Sequence, residues 1–217
     1  MKKAIVIFLA VCCIFMTACG KKEGTPTDDG FRDDSTGISY TMCNFLTLSA
    51  IEKGEKYLSV NNEDFYEVEY EDPKRFLCTE DEDGLLLYRA EDVKEPDVYS
   101  FRPISAAVFV NNQTFITYFY ADDKYLPEDK RGLNPTQDTA LCQSMAEALK
   151  YSQEMNVPAE SIRDEDVYYI RLFSKDYPGL YYLVVFFGDD TGRFYLRDRG
   201  MGKTVICPDE VKERMVG

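Results

Sequence analysis

An α+β fold is predicted by three features of the sequence. Short β-rich runs recur with turn chemistry between them, one run alternates polar and apolar residues with a period of two, and a single mid-chain stretch carries apolar residues at helical spacing. The expected architecture is an antiparallel meander or hairpin sheet, or two such sheets, packed against one long central helix, with a short helix at the C-terminus.

Strands are expected first at residues 44–51 and 56–60, around Glu52-Lys53-Gly54-Glu55, and then at 65–70 and 75–79, around Glu71-Asp72-Pro73-Lys74. Asp81-Glu82-Asp83-Gly84 turns the chain into 85–89, and 104–110 pairs with 114–120 around Asn111-Asn112-Gln113. In Phe65–Tyr70, Glu67 and Glu69 alternate with Tyr66, Val68 and Tyr70, which gives one wet and one buried face. After Asn134-Pro135 the period changes: Asp138, Leu141, Cys142, Met145, Ala148, Leu149 and Ser152 recur as on one face of a helix, expected over 136–153. Strands return at 166–173, 180–187, 193–197 and 203–207, and 208–215 reads as a closing helix with Pro208 at its start and acids in its first turn. Residues 180–187 (LYYLVVFF) are apolar on both faces and need cover on both sides. One helix cannot supply it, so either two sheets pack together or an aromatic face awaits a partner. Tyr118, Tyr120, Tyr181 and Tyr182 are the candidate binding face.

The N-terminus speaks to location. Lys2 and Lys3 precede an apolar run at 4–16 that is too short to span a bilayer, where about 20 apolar residues are needed, and is laid out like a secretory signal. Met16-Thr17-Ala18-Cys19 resembles the lipobox of bacterial lipoprotein precursors, with Met16 where Leu, Val or Ile is usual. The resemblance implies a signal peptide at 1–18, cleavage between Ala18 and Cys19, and a diacylglycerol thioether on Cys19 carrying palmitate-class acyl chains. Two chains give a stable anchor at about 0.8 kcal/mol per buried CH₂, where one gives only reversible binding. The alternatives are an ordinary cleaved signal or an uncleaved N-terminal anchor. Residues 20–37 are rich in Gly, Thr, Asp and Lys and lack the hydrophobicity to fold, so 19–37 is expected to be the lipidated cysteine and a flexible tether spanning on the order of 25 Å. Residues 38–217 suit one domain.

Acids outnumber bases 39 to 25, and loss of Lys2 and Lys3 with the signal widens the gap. Such a surface repels phosphate backbones, which argues against nucleic-acid binding. The chain has no histidine, which excludes Ser-His-Asp and Cys-His catalysis and His-ligated metal. Gly202-Lys203-Thr204 ends like a P-loop, but Arg197 stands where the first glycine belongs and a strand follows instead of a helix. No acidic cluster matches a calcium loop; 80–83 is the best candidate for a weak cation site, and no cofactor is expected. Cys43, Cys78, Cys142 and Cys207 sit in apolar runs as free thiols would, although an even number outside the cytosol also permits disulfides.

The expectation from sequence is thus a lipid-anchored protein on the extracytoplasmic side of a bacterial membrane. It would act as a non-catalytic binding or assembly module, with an envelope protein or glycan as partner. An inhibitor or immunity-type protein using an acidic face, or a carboxylate-based glycan hydrolase, are the alternatives; the latter needs two close acids in a cleft, one with a raised pKa.

Overall fold

The computed structural model describes residues 22–48, 53–81, 84–111, 113–122, 135–138 and 140–216. The expected signal peptide, Ala18 and Cys19 lie outside these residues. The fold is mostly β, and this corrects the α+β expectation: two sheets dominate, and the described α-helices are two short ones.

The first sheet holds β1 (Gly24–Thr27), β2 (Gly30–Asp33), β3 (Ser39–Met42), β5 (Lys56–Val60), β6 (Glu63–Glu67), β7 (Phe76–Asp81) and β8 (Gly84–Ala90), in the order β1-β2-β3-β8-β7-β6-β5. Its two edges meet. Ser59 N–H donates to the Lys22 carbonyl at 3.0 Å, Glu23 and Ser59 form a parallel bridge, and the Lys22 ammonium lies 3.8 Å from the Tyr57 ring centroid. The sheet therefore nearly closes into a barrel, which leaves little open edge. Phe31, Tyr40, Leu58, Val60, Phe65, Leu77 and Ala90 fill it. The expected tether does not hold for its described part: residues 24–33 form a hairpin of this barrel, Phe31 is 1% exposed, and its ring packs 4.0 Å from that of Phe65. Asp33, fully buried, shapes the next turn by accepting bonds from Ser35 N–H at 2.8 Å and the hydroxyls of Ser35 and Thr36 at 2.6 and 2.8 Å.

The second sheet holds β9 (Ser105–Val110), β10 (Thr114–Tyr120), β11 (Thr136–Gln137), β12 (Tyr168–Ser174), β13 (Tyr177–Gly188), β14 (Phe194–Asp198) and β15 (Thr204–Ile206), in the order β11-β10-β9-β12-β13-β14-β15. One edge of the long β13 has two neighbours. Its first half pairs with β4 (Leu46–Leu48), which the chain sends across from the first sheet, and its second half pairs with β14. The crossing is fixed by Glu95, whose buried carboxylate accepts the backbone N–H groups of Asn44, Phe45 and Leu46 at 3.0, 2.6 and 2.9 Å. A second tie is Glu71, which accepts the N–H of Gly179 at 3.3 Å.

A common core joins the sheets. Phe76, Cys78 and Leu87 from the outside of the barrel meet Ile170, Leu172, Leu180, Tyr182, Val184 and Phe186 from the inner face of the second sheet. Helices α1 (Leu141–Tyr151) and α2 (Asp209–Val216) complete it with Leu141, Cys142, Met145, Leu149 and Val211. The helix expected at 136–153 is thus shortened to 11 residues. Thr136 and Gln137 are taken by parallel pairing with Phe119 and Tyr120, and the Asp138 carboxylate receives the N–H groups of Ala140 and Leu141. At the other end Lys203 donates to the Leu149 carbonyl at 2.6 Å, a cation on the negative helix terminus. Cys43, Cys78, Cys142 and Cys207 are all free thiols, and burial pushes Cys142 and Cys207 up to about 12. Among the described residues no helix is long and apolar enough to cross a membrane.

Candidate functional site

The four tyrosines singled out from the sequence do not form one face. Strand alternation puts Tyr181 and Tyr182 on opposite sides of β13. Tyr182 is fully buried in the common core, where its hydroxyl donates to Asp198 Oδ2 at 2.8 Å. Burial and then the charge of Asp198 raise its phenol pKa. Tyr118 and Tyr181 lie on the outer face but are 3% and 8% exposed, and the Tyr118 hydroxyl donates to Ser105 Oγ at 2.7 Å. Tyr120, half-buried, shares that side of β10 at the register of Ser105. Between β9 and β13 the Arg171 guanidinium stacks 4.3 Å from the Phe109 centroid and 5.1 Å from that of Tyr181.

The other half of this outer face has a different construction. The chain leaves α1 and crosses back over the sheet through residues 152–167. It is pinned at both ends: Met155 N–H donates to the Thr204 carbonyl at 2.8 Å, and Arg163 N–H to the Gly188 carbonyl at 3.0 Å. Asp190 N–H donates to the Ser161 carbonyl at 2.9 Å beside a bridge between Ile162 and Asp189. Met155, Val157, Ile162 and Val167 pack from this crossing onto Tyr169, Val185, Phe187 and Tyr195. The β13–β14 turn beneath is set by Asp189, which accepts Thr191 and Arg193 N–H and, at 2.8 Å, the Tyr195 hydroxyl.

The crossing leaves two cavities beneath and beside it. One, of about 350 Å³, is lined by Ile162, Val167, Tyr169, Val185, Phe187, Arg197 and Arg199. The other, of about 620 Å³, is more polar and is lined by Glu154, Met155, Asn156, Val157, Arg197, Gly202 and Thr204. Arg197 stands between them: its Nε donates to Thr204 Oγ1 at 2.9 Å, and its guanidinium lies 4.8 Å from the Phe187 centroid. Neither Arg197 nor Arg199 has a carboxylate partner among the described residues, although Arg75, Arg89, Arg102, Arg163 and Arg214 each have one. A third cavity, of about 410 Å³, lies at the edge of α1 and includes Tyr99, Arg102 and Gln143. Arg102 there takes the left-handed conformation, with φ of 56°, and pairs with Asp176 at 3.2 Å.

The acids with raised pKa values are held by structural bonds. Burial raises Asp198, and its carboxylate accepts the Met201 N–H at 2.9 Å and the Tyr182 hydroxyl. Burial also raises Glu71, which is taken up by Gly179 and Arg75. Asp97 is the opposite case: burial pushes it up, but bonds from Lys150 and Ser100 outweigh this and hold it at about 2. In the stretch 80–83, Glu80 pairs with Lys53 at 2.5 Å and Asp81 accepts the Gly84 N–H, while 82 and 83 lie outside the described residues. No group of three or more metal-ligating side chains occurs among the described residues.

The sequence reading missed the arginines. The signal was present in residues 194–199: Arg197 and Arg199 occupy alternate positions of one short segment and so share a side, with Leu196 and Asp198 on the other. No family model matches the chain, and comparison with curated proteins and with solved structures gives no significant match to either.

Proposed function

We propose that this chain is a lipid-anchored, extracytoplasmic binding module of the bacterial cell envelope, without catalytic activity of its own, and that it binds through the outer face of its second sheet. The anchor rests on the lipobox-like Met16-Thr17-Ala18-Cys19. The binding role rests on one observation: an apolar cavity flanked by two guanidiniums without carboxylate partners among the described residues, in a chain with a large excess of acids. Such a combination fits holding a ligand or partner better than performing acid–base chemistry, since the buried acids are committed to fixed bonds.

The test uses the full chain in a bacterial host. Cells are fed an alkyne analogue of palmitate, membranes are separated, and bound envelope components are trapped by cross-linking at low and high salt. Wild type is expected to carry the label and to sediment with membranes, and Cys19→Ala to lose both. Cross-linked partners are expected to diminish in Arg197→Gln/Arg199→Gln. An unlabelled wild-type chain overturns the anchor, and partners unaffected by the double substitution overturn the assignment of the binding face.

A further inference from the structure

We propose that the cavity between Ile162 and Val167 on one side and Val185 and Phe187 on the other is a site for a small apolar monocarboxylate, whose carboxylate is held by Arg197 and Arg199. This deepens the binding-module reading and rests on it.

The walls come first. Val185 and Phe187, buried on β13, form the floor, and the half-buried Ile162, Val167 and Tyr169 supply the accessible apolar lining above it. At about 350 Å³ the space sits at the lower end of small-ligand pockets, which run roughly 300–1,000 Å³. Its apolar walls favour a hydrocarbon or aromatic body over a sugar or a phosphate ester, which would leave many polar groups unpaired against them.

The rim supplies the charge. Arg197 is positioned in advance: Nε is occupied by Thr204 Oγ1 and the guanidinium plane rests near Phe187. Its two terminal nitrogens make no hydrogen bond among the described residues, and two parallel N–H groups are what a carboxylate accepts in bidentate fashion. Arg199, in the turn just beyond the end of β14, lines the same cavity. Two like charges on one cavity favour an anion there.

The neighbouring acids do not fulfil that role. Asp166 is paired with Arg163, and Asp189 is engaged by Thr191, Arg193 and Tyr195. Glu154 lines the adjoining polar cavity and not this one. A ligand with one carboxylate and an apolar body satisfies both features at once. A second anionic group would have to sit against the Ile162, Val167, Val185 and Phe187 side chains, which offer it no donor, and a neutral amphiphile would leave the cations unmatched.

The experiment uses the full chain in phosphatidylcholine nanodiscs, with empty nanodiscs as the blank, and titration calorimetry. The probes are octanoate and 4-phenylbutyrate, each beside its uncharged primary amide. At least one carboxylate is expected to bind with 1:1 stoichiometry, at least tenfold more tightly than its amide, and to weaken as NaCl is raised from 50 to 500 mM. Arg197→Gln/Arg199→Gln is expected to weaken it at least tenfold. Val185→Phe, which fills the cavity from the wall and leaves both arginines in place, is expected to abolish it. Thermal unfolding of both variants serves as the folding control, and Val185→Leu replaces Val185→Phe if the latter unfolds. Equal affinity for acid and amide, or no binding of either acid, overturns the proposal. So does much tighter binding of a peptide ending in an apolar residue with a free carboxylate, which would make the ligand a protein C-terminus. The broader reading fails separately: if acids do not bind but arginine-dependent cross-linking persists, only the ligand class falls, and if both are absent the binding face falls as well.

Discussion

At the scale of single residues, hydrogen-bonded carboxylates are the joints of this protein, and their pKa values make a pH prediction with a definite sign. Asp97 is held at about 2 in the fold, against about 3.9 for an unperturbed aspartate. A depressed acid stabilises the folded state above its unfolded pKa and loses that contribution as pH falls through the folded value. Asp33, also lowered, by bonds from Ser35 and Thr36 that outweigh its burial, acts in the same direction. The raised Asp198 acts oppositely, since its protonated form is favoured in the fold and its stabilisation disappears as pH rises through its folded pKa. Stability should therefore fall between about pH 4 and pH 2 in proportion to the lowered acids. Urea midpoints at pH 7, 4 and 2.5 check this, and Asp97→Asn should flatten the slope over that window. The exchange also loses the charge-assisted bond from Lys150, a partly exposed contact that solvent screens and that contributes little at pH 7. An unchanged slope in the variant would remove Asp97 from the account.

At the scale of elements, what the sequence disclosed depended on whether the determining contacts were local. The strands Lys56–Val60 and Thr114–Tyr120 have the bounds expected from turn chemistry, because each is bordered by residues that select the turn regardless of the rest of the fold. The helix was overextended because Thr136 and Gln137 gain their pairing from Phe119 and Tyr120, a contact invisible in a 3.6-residue period. Composition makes the hairpin at 24–33 look like a tether because only Phe31 in it is strongly apolar. Its fate is settled by pairing with Ser39–Met42 and by closure onto Ser59, contacts that lie outside the segment and that its composition does not carry. The site was hidden for a related reason: the crossing at 152–167 brings Ile162 to β13 from far along the chain, and composition alone marks Arg197 and Arg199 as ordinary surface residues. The joint between sheets can be tested at one glycine. A Cβ on Gly179 would lie 2.1 Å from the Glu69 carbonyl oxygen, where backbone must shift to admit it. Gly179→Ala should cost about 1–3 kcal/mol, the scale of overpacking a close-packed site, read as a lower urea midpoint. Gly192→Ala is the contrasting control, because nothing lies within 4 Å of its Cβ and its penalty comes only from a φ of +77°.

At the scale of the whole molecule, the near-closed barrel decides where the folded body begins, and this conflicts with the tether drawn from composition. If residues up to 37 were a tether, a chain starting at residue 38 would be as stable as one starting at residue 22. The structure requires otherwise. Without β1 and β2 the barrel loses Phe31 from its centre, exposes the edge of β3, and leaves Ser59 without the Lys22 carbonyl that closes the circuit. Removal of one buried phenylalanine side chain alone costs about 3–5 kcal/mol, a large share of the 5–15 kcal/mol that a domain typically possesses. The longer chain should unfold cooperatively in urea. The shorter one should lose several kcal/mol or fail to fold, with its exposed β3 edge promoting association visible by light scattering. Phe31→Ala in the full chain separates loss of the plug from loss of the strands: it should reproduce most of the stability loss without the association. Equal midpoints for the chains starting at 22 and 38 would show that the barrel is not a closed stabilising unit. The anchor geometry follows from the outcome. With β1 part of the body, only the few residues between Cys19 and Lys22 would separate a lipid on Cys19, as proposed, from the fold, so the proposed module would sit close against the bilayer surface and not at the end of a long leash.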